Sequence, residues 1–168
     1  RGLPIRFAII GDGVQKQSLI DKAAATASDN VKFYPFQPIE RYGEVLAAAD
    51  VTLVALNSAA TFASVPSKIY KQMAAARPIV AITNPGNELS RLIVGAKCGV
   101  TVPPGDSQRL ADVLRQAVEQ RDAFAEMGRN GREYLEQNCS RKLCVARVEA
   151  ALAEACTKVQ VRSALAQG

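Results

Sequence analysis

The sequence contains no histidine and no tryptophan, and each absence closes off chemistry. Without histidine there is no Ser-His or Cys-His nucleophile pair, no general base of the commonest kind, and no histidine-ligated zinc. Aromatic residues make up 5% of the chain, too few for the stacking platforms that hold single-stranded nucleic acid. The cysteines, Cys98, Cys139, Cys144 and Cys156, lack both CxxC spacing and the density of a disulfide-stapled secreted domain. Free thiols in a reducing compartment are therefore expected. No apolar run approaches the ~20 residues of a membrane helix. The net charge is +5 with no run of five basic residues. Charge of that size and spread suits small anions, or loose attraction to an anionic membrane surface, better than nucleic acid, which is not expected as a partner. The opening Arg1-Gly2-Leu3-Pro4 shows neither a signal-peptide hydrophobic segment nor an initiator Met, so the chain reads as part of a longer protein.

What is present is an ordinary soluble composition, 48% hydrophobic and 22% charged over 168 residues, enough for one domain with a real core. Short apolar runs at 6–10, 31–33, 51–56, 79–82 and 99–102 alternate with helical spacing at 14–27, 39–49, 88–96 and a short helix after Ser67. Strands separated by helices predict an α/β fold, a Rossmann-like parallel sheet of about five strands flanked by helices. The 51–56 run, VTLVAL, reads as a strand buried on both faces. Alanine triplets at 23–25, 47–49 and 74–76 read as small residues facing the sheet. From Ser107 the sequence turns helical: 107–120, 121–138 and 141 to about 158. The domain is assigned to residues 1–155, with a helical or frayed tail over 156–168.

In such sheets ligands bind at the carboxyl ends of the strands. Gly11-Asp12-Gly13, the loop after Leu56, the Ser64–Lys68 turn, Asn84–Glu88 and Pro103–Asp106 all fall at that edge. Within SVPSKIYKQMAAARPIV (64–80), Lys68 and Lys71 lie near a helix start, where the helix dipole disfavours cations and the unpaired N–H groups favour an anion. A rim rich in glycine, serine and backbone N–H donors suits a nucleotide or sugar phosphate.

Seven stretches in order, FAIIGDG (7–13), NVKFYPFQP (30–38), VLAAADVTLV (45–54), PSKIYKQMAAARPIVA (66–81), NELSRLI (87–93), CGVTVPPGD (98–106) and MGRNGREYL (127–135), resemble the C-terminal, donor-binding half of a GT-B fold glycosyltransferase. The family resembled is the large retaining family 4. The Pro-Ser-Lys turn is most similar to the bacterial branch that builds colanic-acid-type, O-antigen and exopolysaccharide polymers. The resemblance implies a retaining hexosyl-type transferase that uses a nucleotide-diphosphate sugar, without a metal or other cofactor. The acceptor is a saccharide or lipid-linked saccharide bound by an N-terminal domain outside this chain. It further implies that Gly11, Gly13, Ser64, Ser67, Lys68 and Lys71 surround the donor and its phosphates, and that Tyr34, Pro35 and Phe36 border the base. Glu88 is open between a donor-site carboxylate and a helix cap. No catalytic residue is assigned.

Two departures qualify the resemblance. The family's paired glutamates fall on Ala63 and Lys71, and a lysine cannot accept two hydroxyl hydrogen bonds as a carboxylate does. A strand that usually opens this half, between the 6–10 and 51–56 strands, lies outside the chain. The fragment alone is therefore expected to be inactive, and its sheet to carry a gap that closes differently or pairs with a second copy. The resemblance places the protein in the cytoplasm, at the inner face of the cell membrane. Two other readings stand beside it: a non-catalytic Rossmann-like module binding an anion or partner, and a dinucleotide oxidoreductase. Against the latter, Lys16 stands at the third glycine of the fingerprint and no acidic residue follows near position 34.

Overall fold

The computed structural model describes residues 4–56 and 65–165, with side chains as far as Thr157 in the last helix. The five expected strands form: β1 (Phe7–Ile10), β2 (Val31–Tyr34), β3 (Thr52–Ala55), β4 (Ile79–Ile82) and β5 (Gly99–Val102). Every pairing is parallel, with Phe7 opposite Val31, Thr52 opposite Ile79, and Ile79 opposite Gly99. Hydrogen bonding nevertheless divides them into a two-stranded sheet, β1–β2, and a three-stranded sheet, β3–β4–β5. The break separates the strands before residue 51 from those after it, and the sequence reading expects a missing strand between the 6–10 and 51–56 strands.

That break accounts for a correction on β3. Expected to be buried on both faces, it alternates: Thr52 and Val54 are buried, whereas Leu53 is 40% exposed. As the outermost strand of its sheet, β3 lacks a neighbour on one edge, and the Leu53 face loses that cover. The alanine triplets likewise do not pack as expected, since Ala24, Ala25, Ala47, Ala48 and Ala74 are exposed.

Seven α-helices connect and flank the strands among the described residues: α1 (Lys16–Ala25), α2 (Tyr42–Ala47), α3 (Lys68–Ala74), α4 (Glu88–Gly95), α5 (Ser107–Glu119), α6 (Arg121–Asn138) and α7 (Arg141–Leu165). A 3-10 turn at Ile39–Arg41 leads into α2. The core lies on both sides of the three-stranded sheet. Val54, Ile79 and Ala81 pack with Ile69 and Met73 of α3 and with Leu89 and Ile93 of α4. On the opposite face Val80 and Val102 meet Val113 of α5 and Phe124 of α6. Alternation along β4 thus feeds two apolar layers. No residue between 4 and 51 is fully buried, so the β1–α1–β2–α2 stretch contributes little to this core.

At seven residues α3 is far too short to be stable alone. Ile69 and Met73, four apart and both fully buried, hold it; each contributes about 1.5–3 kcal/mol by burial. Helix α6 supports it from behind. A Cβ on Gly128 would come within 2.2 Å of the Ala76 carbonyl oxygen, and one on Gly131 within 2.9 Å of Cys98 Cβ, so glycine lets α6 approach to backbone contact.

Three helices stop in the same way. Ser28 N–H donates to Ala23 O at 2.9 Å, Arg77 N–H to Gln72 O at 3.2 Å, and Cys98 N–H to Ile93 O at 3.2 Å. These are six-to-one Schellman bonds, which require a left-handed residue just past the helix. That residue is glycine in none of them: Ala27, Ala76 and Lys97 have φ of 47°, 52° and 49°. The fold accepts backbone strain at each turn that starts the return toward the sheet.

Helix α7 continues to Leu165, beyond the end near 158 that the sequence suggests. Its Val145, Val148 and Leu152 are 47%, 59% and 62% exposed. Among the described residues, no helix is long and apolar enough to cross a membrane. All four cysteines are free, with Cys98 buried.

Candidate functional site

The loop after β1 is held by its neighbour after β2. Gly11 N–H donates to Tyr34 O at 3.2 Å, and Phe36 N–H donates to Asp12 Oδ2 at 3.4 Å. Gly11 takes φ 129°, a conformation that side-chain-bearing residues avoid. A Cβ at Gly11 or Gly13 would meet nothing within 4 Å, so the loop faces open space. Lys16 Nζ pairs with Asp12 at 2.5 Å. That hydrogen bond, followed by the one from Phe36 N–H, holds the Asp12 carboxyl below its ordinary pKa. The lysine that stands where a dinucleotide fingerprint needs glycine is therefore the partner that fixes the loop's carboxylate. Tyr34 and Phe36 are 46% and 74% exposed, and Pro35 lies between them, also exposed. Aromatic surface at the carboxyl end of a strand is what a planar base can cover.

Ser67 and Lys68 stand at the carboxyl end of the second sheet, where the chain enters α3. Both are exposed. Ser67 is the N-cap residue, yet its side chain makes no capping bond, which leaves the hydroxyl available. Lys68 makes no ion pair with a described residue. Because α3 is only seven residues long, the charge here rests on the Lys68 ammonium more than on the helix dipole. Ser64 and Ala63 lie outside the described residues.

Lys71 parts from Lys68. Its Nζ lies 4.9 Å from the centroid of the Tyr42 ring, within the range of a cation–π contact. Tyr42 opens α2, so the contact ties the β1–α1–β2–α2 stretch to α3. Among the described residues, no hydrogen bond or ion pair joins the part before residue 51 to the part after it. The sequence reading did not single out Tyr42, and no motif marks it.

Glu88 has its role narrowed. Helix α4 is capped by Asn87, whose side chain accepts the Ser90 N–H at 2.9 Å and donates to the buried Thr83 Oγ1 at 2.6 Å. Glu88, in the first turn, instead pairs with Arg91 at 2.8 Å, with side chains 51% and 68% exposed. The Asn87–Thr83 bond pins the helix start to the end of β4, and the cap was legible as an Asn before an apolar run. Asp106 caps α5 by accepting the Arg109 N–H at 2.8 Å.

A groove of about 450 Å³ lined by Arg6, Phe7, Ala8, Asp29, Asn30, Lys32 and Tyr34 lies along the β1–β2 sheet. Tyr34 alone of the candidate residues borders it, and most of its lining comes from the amino ends of the strands. Among the described residues, no group of three acidic or cysteine side chains is placed to hold a metal.

Residues 1–120 match the family model described as "Glycosyl transferases group 1". A probable glycosyltransferase, WbjE, from Pseudomonas aeruginosa is 34% identical over 134 residues, covering 80% of this chain and 33% of that protein. Among solved structures, the fold is similar to HepE from Anabaena in complex with UDP, with a TM-score of 0.69 at 21% identity over 93% of this chain and 42% of that one. It is also similar to WaaG, a glycosyltransferase involved in lipopolysaccharide biosynthesis, with a TM-score of 0.61 at 20% identity over 82% of this chain and 35% of that one. The chain thus spans a third of its curated relative's length. These likenesses agree with the fold expected from sequence, a Rossmann-like parallel α/β unit of the GT-B type.

Proposed function

The chain belongs to the group 1 glycosyl transferases, and from that premise we propose that it is the donor-binding part of a retaining, family 4 enzyme. The enzyme transfers a hexosyl unit from a nucleotide-diphosphate sugar to a saccharide or lipid-linked acceptor in cell-envelope polysaccharide synthesis. The observation that carries this reading is the placement of its loops. Gly11–Gly13 and Tyr34–Phe36 end two adjacent parallel strands, and Ser67–Lys68 follows a third at the start of α3. Ligands of such sheets gather at these ends. Relatives whose names connect them with UDP and lipopolysaccharide support the same direction.

On this reading the base lies against Tyr34 and Phe36, the open glycine loop admits the donor, and Ser67 and Lys68 hold the diphosphate. Loss of a nucleoside diphosphate develops negative charge as the glycosidic bond breaks. A fixed ammonium and hydroxyl therefore stabilise the transition state more than the ground state. No metal takes part. Transfer belongs to a protein of the relatives' full length, working in the cytoplasm at the inner membrane face, and these 168 residues alone are inactive. A second reading, a non-catalytic anion-binding module, has one observation in its favour: Lys71 occupies a position where a ribose-gripping carboxylate is usual, and it is engaged with Tyr42.

Thermal unfolding with UDP-, GDP- and dTDP-sugars separates the two. Ligand at a hundred times its Kd stabilises the folded chain by about 2.7 kcal/mol, and Lys68→Ala is expected to remove most of that shift. No shift with any sugar nucleotide, or an unaffected Lys68→Ala chain, overturns the donor reading.

A further inference from the structure

Among the described residues, the candidate donor site draws on two pieces that share no strand pairing. The base-side loop, Tyr34–Phe36, belongs to the two-stranded sheet, and the phosphate-side residues, Ser67 and Lys68, belong to the three-stranded sheet. No strand pairing joins these sheets. No described hydrogen bond or ion pair does so either. Among the described residues, one side-chain contact that spans the two pieces is Lys71 over the Tyr42 ring, 4.9 Å from its centroid.

Both members are well placed to transmit position. Lys71 is one turn along α3 from Lys68, and α3 is fixed by the buried Ile69 and Met73. Tyr42 is separated from Phe36 by a short loop and the 3-10 turn Ile39–Arg41, which runs directly into α2. A shift of the ring over Lys71 therefore moves the base-side loop relative to the phosphate-side turn. Resting on the donor reading above, we infer that Lys71 and Tyr42 are positioning residues. Their contact sets the spacing between the base half and the phosphate half of the site, and neither residue touches the donor.

Spacing matters only to a ligand that bridges both halves. A nucleoside diphosphate bridges them; inorganic pyrophosphate engages the phosphate half alone. An exposed cation–π contact has a strength equivalent to about a two- to fivefold change in affinity. The test uses the 168-residue chain and calorimetric titration with UDP, GDP, dTDP and pyrophosphate. Tyr42→Leu and Lys71→Met are each expected to weaken the preferred nucleoside diphosphate about two- to fivefold, and the double variant no further. Pyrophosphate affinity stays at the wild-type value in every variant, and Tyr42→Phe, which keeps the ring, restores nucleotide affinity. Melting temperatures of Tyr42→Leu and Lys71→Met close to that of wild type exclude a general loss of fold as the source.

Contrary outcomes separate cleanly. A Lys71→Met chain that loses pyrophosphate as well makes Lys71 a direct phosphate ligand and overturns the inference. Tighter nucleotide binding by Lys71→Glu puts residue 71 on the ribose and overturns it too, as does additive weakening in the double variant. A wild-type chain that binds pyrophosphate but no nucleoside diphosphate overturns the donor reading first, and this inference with it.

Discussion

Replacing Gly128 with alanine tests how α6 holds the turn beneath the candidate site. The new Cβ would lie 2.2 Å from the Ala76 carbonyl oxygen, 2.8 Å from the carbonyl carbon and 3.2 Å from Pro78 N. All three are backbone atoms, so no side chain can swing aside. Ordinary heavy-atom contact is ~3.5 Å, so α6 must retreat by about 1 Å, and a gap of that size forfeits up to half of the dispersion well. Phe124 and Met127 pack on one layer and Tyr134 and Leu135 on the other, and a fully buried side chain of this kind is worth about 1.5–3 kcal/mol. Phe124 is buried and the other three are partly buried, so losing about a third of this packing, together with the overpacking that remains against the backbone, costs roughly 2–4 kcal/mol. Alanine returns about 1 kcal/mol through its better helix propensity, leaving a net loss of about 1–3 kcal/mol. Urea unfolding followed by circular dichroism measures it. Gly13→Ala is the control, because a Cβ there meets nothing within 4 Å. Propensity alone predicts the opposite sign at Gly128, so a variant as stable as wild type, or more stable, refutes the packing argument.

Two further expectations concern stability. Ala76→Gly relieves the left-handed strain at φ 52° and should raise stability by about 0.5–1 kcal/mol once the greater freedom of glycine in the unfolded chain is deducted; a fall on urea unfolding counts against strain there. At Cys98, burial pushes the thiol up to about 11 from its usual 9.0. A raised folded pKa means that the stability it provides is complete below pH 9 and is lost as pH rises toward 11. The wild type should lose stability over that window faster than Cys98→Ala does, and iodoacetamide at neutral pH should label the exposed Cys144 and Cys156 well before Cys98.

Much of the fold was legible because its signals are local. The apolar run before Gly11 and the Pro-initiated run at 79–82 each end in turn residues, and both became strands within a residue or two of the expected limits. Asn87 and Asp106 precede helices in the pattern that capping demands, a signal passed over when Glu88 was considered from sequence as the cap of α4. What failed was non-local. VTLVAL reads as doubly buried in any context, but the exposure of Leu53 depends on whether another strand lies beside it. The alanine triplets read as packing surface, yet their exposure depends on how far each helix stands from its sheet.

The candidate site divides in the same way. Gly11, Ser67 and Lys68 were candidates on strand ends and turn chemistry, which need no knowledge of neighbours, whereas Tyr34 and Phe36 entered through the family resemblance. The resemblance already set Lys71 apart from Lys68, since it puts Lys71 where a glutamate is usual, but nothing in the sequence said which group Lys71 would meet. Tyr42 carried no signal at all.

The sequence by itself determined the parallel α/β class, the order of its elements and the loops that form the candidate rim, because hydrophobic period and turn residues act over a few positions. Tertiary structure alone decided that Leu53 of β3 stays 40% exposed and that Lys71 reaches the Tyr42 ring, whereas the gap that divides the five strands two and three was already implied by the family resemblance. The exposure of Leu53 and the reach of Lys71 depend on which surfaces meet across the fold, and pairing between residues distant in sequence leaves no periodic trace in the chain.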